Sequence, residues 1–228
     1  VSTPYRNWTF TENTRRMPEF TAPGLGRESN VVEIDMECGT TTNSQKRQEQ
    51  VAFSIKHYAT EVRMVVKKGS NIKGIADLDG KAVVTTTGTT SDKYIKQGEQ
   101  SAKVNVTNIF GKDHADSFAQ VESGAAAAFF MDDNILAGLI ATSKNPNDFE
   151  IVGPVLSTEP YGIMLNKGDA AMKKIADTAV LNMIKSGAME KAYVKWFQSP
   201  IPPKGVNMNW KMNETMKKIL SAPSDEGI

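Results

Sequence analysis

Two threonine-rich stretches and one arginine are the groups in this sequence best suited to holding a small anion. The first stretch is Cys38-Gly39-Thr40-Thr41-Thr42-Asn43-Ser44-Gln45-Lys46-Arg47. It follows the strand-like run Val31–Met36, and Thr42 with Gln45 three residues later has the pattern of a capping box, so a helix is expected to start here. The unsatisfied N–H groups and positive dipole end of a helix start attract anions, and Arg47 adds a planar cation one turn further in. The second stretch, Val83-Val84-Thr85-Thr86-Thr87-Gly88-Thr89-Thr90-Ser91-Asp92, repeats the build. A β-branched strand runs into glycine and a second capping box, Thr89 with Asp92. Threonines at helix starts more often cap than bind, so either stretch alone says little. Two of the same build, one backed by an arginine, point to a shared cleft for a carboxylate.

The elements that must position these groups alternate between strand and helix. Strands are expected over 61–66, before the second threonine stretch, over 104–110, along the apolar run 125–130, and over 150–152 and 162–165. A short helix over 75–81 stops at glycine, and another passes through Phe118 and Val121 to Gly124. Ala52-Phe53-Ser54 leads out of the first helix. Residues 170–186 form an amphipathic helix closed by Gly187, and 189–197 a second, whose Tyr193, Trp196 and Phe197 are spaced for a buried face. A last helix covers 213–220. The alternation argues for an α/β fold of parallel βαβ units, whose functional groups collect where strand carboxyl ends meet helix starts. That rule gathers Thr40 to Arg47, Thr87 to Thr90, Lys112 to His114 and Asp132-Asp133. An acid facing an arginine is what a zwitterion requires, although Asp132-Asp133 reads equally well as a helix cap before Asn134-Ile135-Leu136.

Composition narrows the classes. With 27 Lys and Arg against 26 Asp and Glu, the +1 net charge gives no nucleic-acid footprint and no polybasic membrane patch. No apolar run is long enough to span a bilayer, and the first residues lack the charged and apolar regions of a signal peptide, which is expected to be absent or already removed. One cysteine and two histidines, Cys38, His57 and His114, match no metal motif, and no cofactor is expected. Cys38 is expected to be a buried small hydrophobe rather than a nucleophile. Residues 1–30, with Pro4, Pro18, Pro23, Gly24 and Gly26, show neither period and read as irregular.

Several motifs, taken in order, resemble the glutamate/aspartate-binding proteins of bacterial ABC importers. They are Glu37-Cys38-Gly39-Thr40-Thr41-Thr42-Asn43 with Arg47, Asp77-Leu78-Asp79-Gly80-Lys81 ahead of Gly88-Thr89-Thr90-Ser91, Lys112-Asp113-His114-Ala115-Asp116-Ser117-Phe118, Phe130-Met131-Asp132-Asp133, Tyr161-Gly162, and Trp196-Phe197 through Ile201-Pro202-Pro203-Lys204. The resemblance runs from Val31 onward. It implies a type II periplasmic-binding-protein fold whose two lobes close on an amino acid, lobe 1 being residues 31–60 and 161–228 and lobe 2 residues 61–160. It also implies roles. Thr40, Thr42 and Arg47 resemble first-lobe donors to the α-carboxylate, Thr87, Thr89 and Thr90 contacts from the second lobe, Asp132 the acid for the α-amino group, and His114 the partner of the ligand's side-chain carboxylate. The partners it implies are L-glutamate or L-aspartate and an ABC permease with its ATPase, served by a periplasmic monomer without catalytic residues.

The sequence departs from the family in two places. The family's first cysteine commonly pairs with one just after the Tyr-Gly, where this chain has Ile163, so Cys38 is expected to be a free thiol. The family also has a βαβα segment before the first threonine loop, with an arginine and a Ser-x-x-Arg stretch. Arg16-Met17-Pro18 resembles the end of that stretch, Arg16 being a further candidate for the site, and residues 1–30 are short for the whole segment, so lobe 1 is expected to be incomplete. Two other readings stand beside the first: a small-carboxylate dehydratase of the cyclohexadienyl type on the same fold, with Asp132 and His114 doing acid/base work, and a remnant that binds nothing.

Overall fold

Strands that are apolar on both sides build the larger of two sheets. In the computed structural model, which describes residues 35–202 and 205–228, nearly every residue is buried along β4 (Ala82–Thr86) and β6 (Ala128–Asp132) and in the second half of β3 (Tyr58–Lys67). The period of two sends Met64, Val66, Val83, Ala128 and Phe130 to one face, where Ile72, Leu78 and Ile95 cover them. Val65, Val84, Phe129 and Met131 go to the other, against Phe118, Val121, Leu136 and Phe149. A sheet covered on both faces needs such runs, and each fully buried Val, Leu or Phe contributes about 1.5–3 kcal/mol.

With β5 (Thr107–Gly111) and β7 (Phe149–Tyr161) the strand order is β5-β4-β6-β3-β7. The expected parallel units are present where β4, α2 (Ser91–Ala102), β5, α3 (His114–Ser123) and β6 follow one another, because β4 pairs parallel to both β5 and β6. They do not extend further: β3 runs antiparallel to β6 and β7. Strand β7 also exceeds its sequence signal. β7 continues past Val152 because residues 153–156 bulge out, with Gly153 at φ +81°, and the ladder resumes at Ser157 opposite Val62. The pair Gly153-Pro154 reads as a stop in the sequence and is a bulge in the fold. α4 (Asp133–Thr142) then covers the sheet from the end of β6.

The smaller sheet has the order β1-β8-β2, from β1 (Met36–Glu37), β8 (Met164–Asn166) and β2 (Val51–Phe53), with both outer strands antiparallel to β8. Ala52 and Phe53 thus belong to a strand, since α1 (Gln45–Gln48) is a single turn. Gly162 and Ile163 lie before β8 rather than in it. Helices α5 (Ala170–Lys185), α6 (Ala188–Phe197) and α7 (Glu214–Ser221) end the chain close to their expected bounds. Tyr193 and Phe197 stack with Tyr58 in a core shared with Ala59, Met216 and Ile219. Trp196, expected on that face, is 47% exposed, with the Lys195 ammonium 5.0 Å from its ring centroid. The β1–β8 register pairs Met36 with Leu165 and Glu37 with Met164. Cys38 is free, and it is exposed rather than buried because β1 stops at Glu37. The expected strand residues 31–34, the irregular leading segment and Arg16 lie outside the described residues. Among the described residues no helix is long and apolar enough to cross a membrane.

Candidate functional site

The carboxyl ends of the parallel strands lie side by side: β4 ends at Thr86, paired with Gly111 at the end of β5, and β6 ends at Asp132. His114 opens α3 after its cap Asp113, and its Nδ1 lies 2.9 Å from Thr86 Oγ1. Thr87 donates to Gly111 O (3.0 Å) and Thr89 to Thr86 O (2.8 Å), so both hydroxyls hold their own loop in shape. Burial lowers the His114 pKa below the usual histidine value against the opposing pull of Asp113, and the ring is neutral at pH 7.

From the smaller sheet, Thr42 and Asn43 reach the far end of β7: Thr42 bridges to Tyr161, and Asn43 N donates to Pro160 O at 2.8 Å. The expected cap at Thr42 is absent. Ser44 caps α1, accepting from Arg47 N, and the Gln45 N–H is taken by Ile228 O at 3.0 Å. At this helix start, the attraction for an anion therefore rests on the Arg47 side chain. The second expected box, Thr89 with Asp92, is also absent; Thr90 occupies the cap position of α2 without making a capping bond.

Both diverted hydroxyls go to a residue the sequence reading passed over. Glu159, on β7 and fully buried, accepts through Oε2 from Thr42 Oγ1 at 2.5 Å and from Thr90 Oγ1 at 2.8 Å. In each bond the threonine hydroxyl donates to a carboxylate, a charge-assisted contact stronger than one between neutral groups. No local pattern marks Glu159: an acid between Thr158 and Pro160 at a strand end ordinarily faces water. Tyr161 is the second omission. The Tyr161-Gly162 motif carries no role for the phenol, yet its hydroxyl donates to Asp132 Oδ2.

Asp132 is 2% exposed, and its Oδ1 has no hydrogen-bond partner among the described residues. Burial first, then the charge of Glu159, holds its carboxyl well above the usual carboxylate range; the Tyr161 hydroxyl and Arg47 pull the other way. Arg47 donates to Thr42 O at 2.9 Å and lies in the field of Glu159 first and Asp132 second, while burial lowers its pKa. The neighbouring Asp133 serves structure instead, accepting from Thr60 Oγ1 at 2.7 Å and Glu61 N at 3.3 Å. The fold thus brings together Thr42, Arg47, Thr90, Asp132, Glu159 and Tyr161, with His114 one strand away. Thr40 is exposed. A half-buried guanidinium in the field of a buried acid with one free oxygen matches the two ends of an α-amino acid. Among the described residues no group of three or more His, Cys, Asp or Glu side chains could hold a metal ion.

The profile of the bacterial extracellular solute-binding proteins, family 3, matches residues 20–199. The L-glutamate/L-aspartate-binding protein of Pseudomonas aeruginosa is 47% identical over 193 residues, which are 85% of this chain and 64% of that protein. The glutamate/aspartate import solute-binding protein of Escherichia coli K12 is 45% identical over 195 residues, 86% of this chain and 65% of that one. The chain therefore spans a little under two thirds of the length of these curated relatives. Among solved structures, an ancestral arginine-binding protein bound to arginine superposes with a TM-score of 0.64 at 32% identity, over 72% of each chain. The GluR0 ligand-binding core from Nostoc punctiforme in complex with L-glutamate superposes with a TM-score of 0.61 at 26% identity, over 72% of this chain and 73% of that one.

Proposed function

Because the chain belongs to the bacterial extracellular solute-binding proteins, family 3, we propose that it captures L-glutamate or L-aspartate outside the cytoplasmic membrane and delivers it to the permease and ATPase of an ABC importer. The smaller sheet with 31–60 and 161–228 forms one lobe and 61–160 the other, joined through β3 and β7 and closing on the ligand as a monomer. Arg47, with the Thr42 and Thr90 hydroxyls, takes the α-carboxylate. Asp132 takes the α-ammonium through Oδ1, and Thr40, Thr87 and Thr89 line the approach. His114, its ring held with Nδ1 2.9 Å from the Thr86 hydroxyl, meets the ligand's side-chain carboxylate. The chain binds without turnover, as the named relatives favour capture over catalysis.

The observation that carries this reading is the buried Asp132 carboxyl with one unpartnered oxygen, in the field of the half-buried Arg47. A thermal melt with L-glutamate, L-aspartate, L-glutamine and L-histidine tests it. A ligand at a hundred times its Kd adds about 2.7 kcal/mol, a rise of several degrees for a chain of this size. The acidic pair alone is expected to raise the melt, and His114→Ala is expected to narrow the gap between glutamate and glutamine. A melt that none of the four moves would refute the proposed function.

A further inference from the structure

We propose that the segment Ser224–Ile228, which follows α7, is a strap that sets the position of the loop carrying Thr42 and Arg47, and thereby the affinity for the ligand's α-carboxylate. This rests on the binding role proposed for Arg47.

The loop cannot hold itself. α1 has four residues, and one helical turn fixes several dihedrals for a single hydrogen bond, so its order has to come from contacts elsewhere. β7 supplies one side, through Asn43 N to Pro160 O at 2.8 Å. The strap supplies the other. Asn43 is fully buried, and its Nδ2 donates to Asp225 O at 2.9 Å while its Oδ1 accepts from Gln48 Nε2 at 2.7 Å. Gln48 Nε2 also donates to Asp225 O at 2.8 Å. Two backbone bonds complete the seam, Ile228 N to Asn43 O at 3.2 Å and Gln45 N to Ile228 O at 3.0 Å. Thr42 and Arg47 lie on either side of this seam.

The strap is itself anchored. Lys56 N donates to Ser224 O at 3.0 Å, and Asp225 pairs with Lys173 at 2.8 Å. Lys173 is fixed in turn by Asp177 at 2.9 Å and by Phe53 O at 3.0 Å. The closeness of the seam shows at Gly227, where an added Cβ would sit 2.7 Å from Gln45 N and 2.7 Å from the Ser44 carbonyl carbon. Both are backbone atoms and cannot turn aside, so any side chain there lifts the strap or displaces the loop.

The test uses Gly227→Ala and a chain ended at Ala222. Hydrogen exchange on the ligand-free proteins is expected to show faster exchange at the Gln45 and Gln48 amides, with β4 and β6 unchanged. Calorimetry is expected to show L-glutamate binding weakened about tenfold by Gly227→Ala. The loss should shrink in an Arg47→Lys background, because a strap acting through Arg47 has less to position there. Unchanged exchange at the loop overturns the strap. Faster exchange with undiminished affinity, or losses that simply multiply with Arg47→Lys, overturns its role in binding. If the parent chain binds neither acidic amino acid, the binding role fails while the exchange measurement still decides whether the strap holds the loop.

Discussion

Thr42 and Thr90, which cap neither of the helices they precede, donate their hydroxyls to the same oxygen of Glu159. One comes from the loop beyond the smaller sheet and the other from the end of β4, so a single buried acceptor ties two distant stretches of chain together. Thr42→Val and Thr90→Val are each expected to cost about 1–3 kcal/mol, the usual penalty for withdrawing a partner from a buried charged group. The double variant should cost more than the sum, because only then does the oxygen lose both donors. Urea unfolding of the four proteins at pH 7 gives the cycle.

Arg47 reaches the site with a planar fork whose geometry suits a carboxylate. Lysine keeps the charge and loses the fork, so Arg47→Lys is expected to weaken L-glutamate binding more than tenfold, and Arg47→Ala to abolish it. Titration calorimetry distinguishes the two; equal affinities would mean that the carboxylate is held elsewhere.

The raised Asp132 pKa makes binding depend on pH. The folded, ligand-free protein holds a proton here that the unfolded chain loses near pH 4, so its stability falls as pH rises through the window between the two pKa values. An ammonium beside Oδ1 favours the charged carboxylate. Binding is therefore expected to release a proton, and affinity to climb with pH until free Asp132 is ionised. Glu159→Gln removes the second-largest cause of the raised value and should move that climb to lower pH. Calorimetry in buffers of different ionisation enthalpy counts the protons.

His57 sets an acid limb of opposite slope. Burial lowers its pKa to about 4, while in the unfolded chain it titrates near the usual 6.5. As pH drops from about 6.5 to 4 the unfolded chain takes up a proton that the fold refuses, which removes about 3 kcal/mol of stability. His57→Gln, neutral throughout, is expected to flatten this limb in melts between pH 4 and 7, whatever it does to the absolute stability.

The helices and strands of the larger sheet were legible because their apolar periods are long and their glycine stops are real: Gly124 and Gly187 end or separate helices where expected. The placement of Thr90, His114 and Asp132 at neighbouring strand ends followed from the carboxyl-end rule for parallel strands. What the sequence concealed depends on burial and on long-range partners. Glu159 looks like a surface acid until the fold closes over it, and it then takes the hydroxyl of Thr42, which the local pattern assigns to a helix cap, together with that of Thr90. The role of Asn43 was equally hidden, because both ends of its amide answer to residues outside its own loop. Trp196 and Cys38 were misplaced for a related reason: spacing locates a helix face or a strand end, but not whether another element covers it.

The bulge at residues 153–156 has a practical use. It leaves the long β3–β7 ribbon between its two paired halves, Val155 in it is 47% exposed, and its backbone is tethered through Gly153 O to Arg63 Nη2 at 2.9 Å. A fluorescent domain spliced in at Val155 would interrupt no rung of the ladder, and in the proposed two-lobe arrangement it would sit on the β3–β7 ribbon through which the lobes are joined. Closure of the cleft would then be read as a change in light rather than in heat.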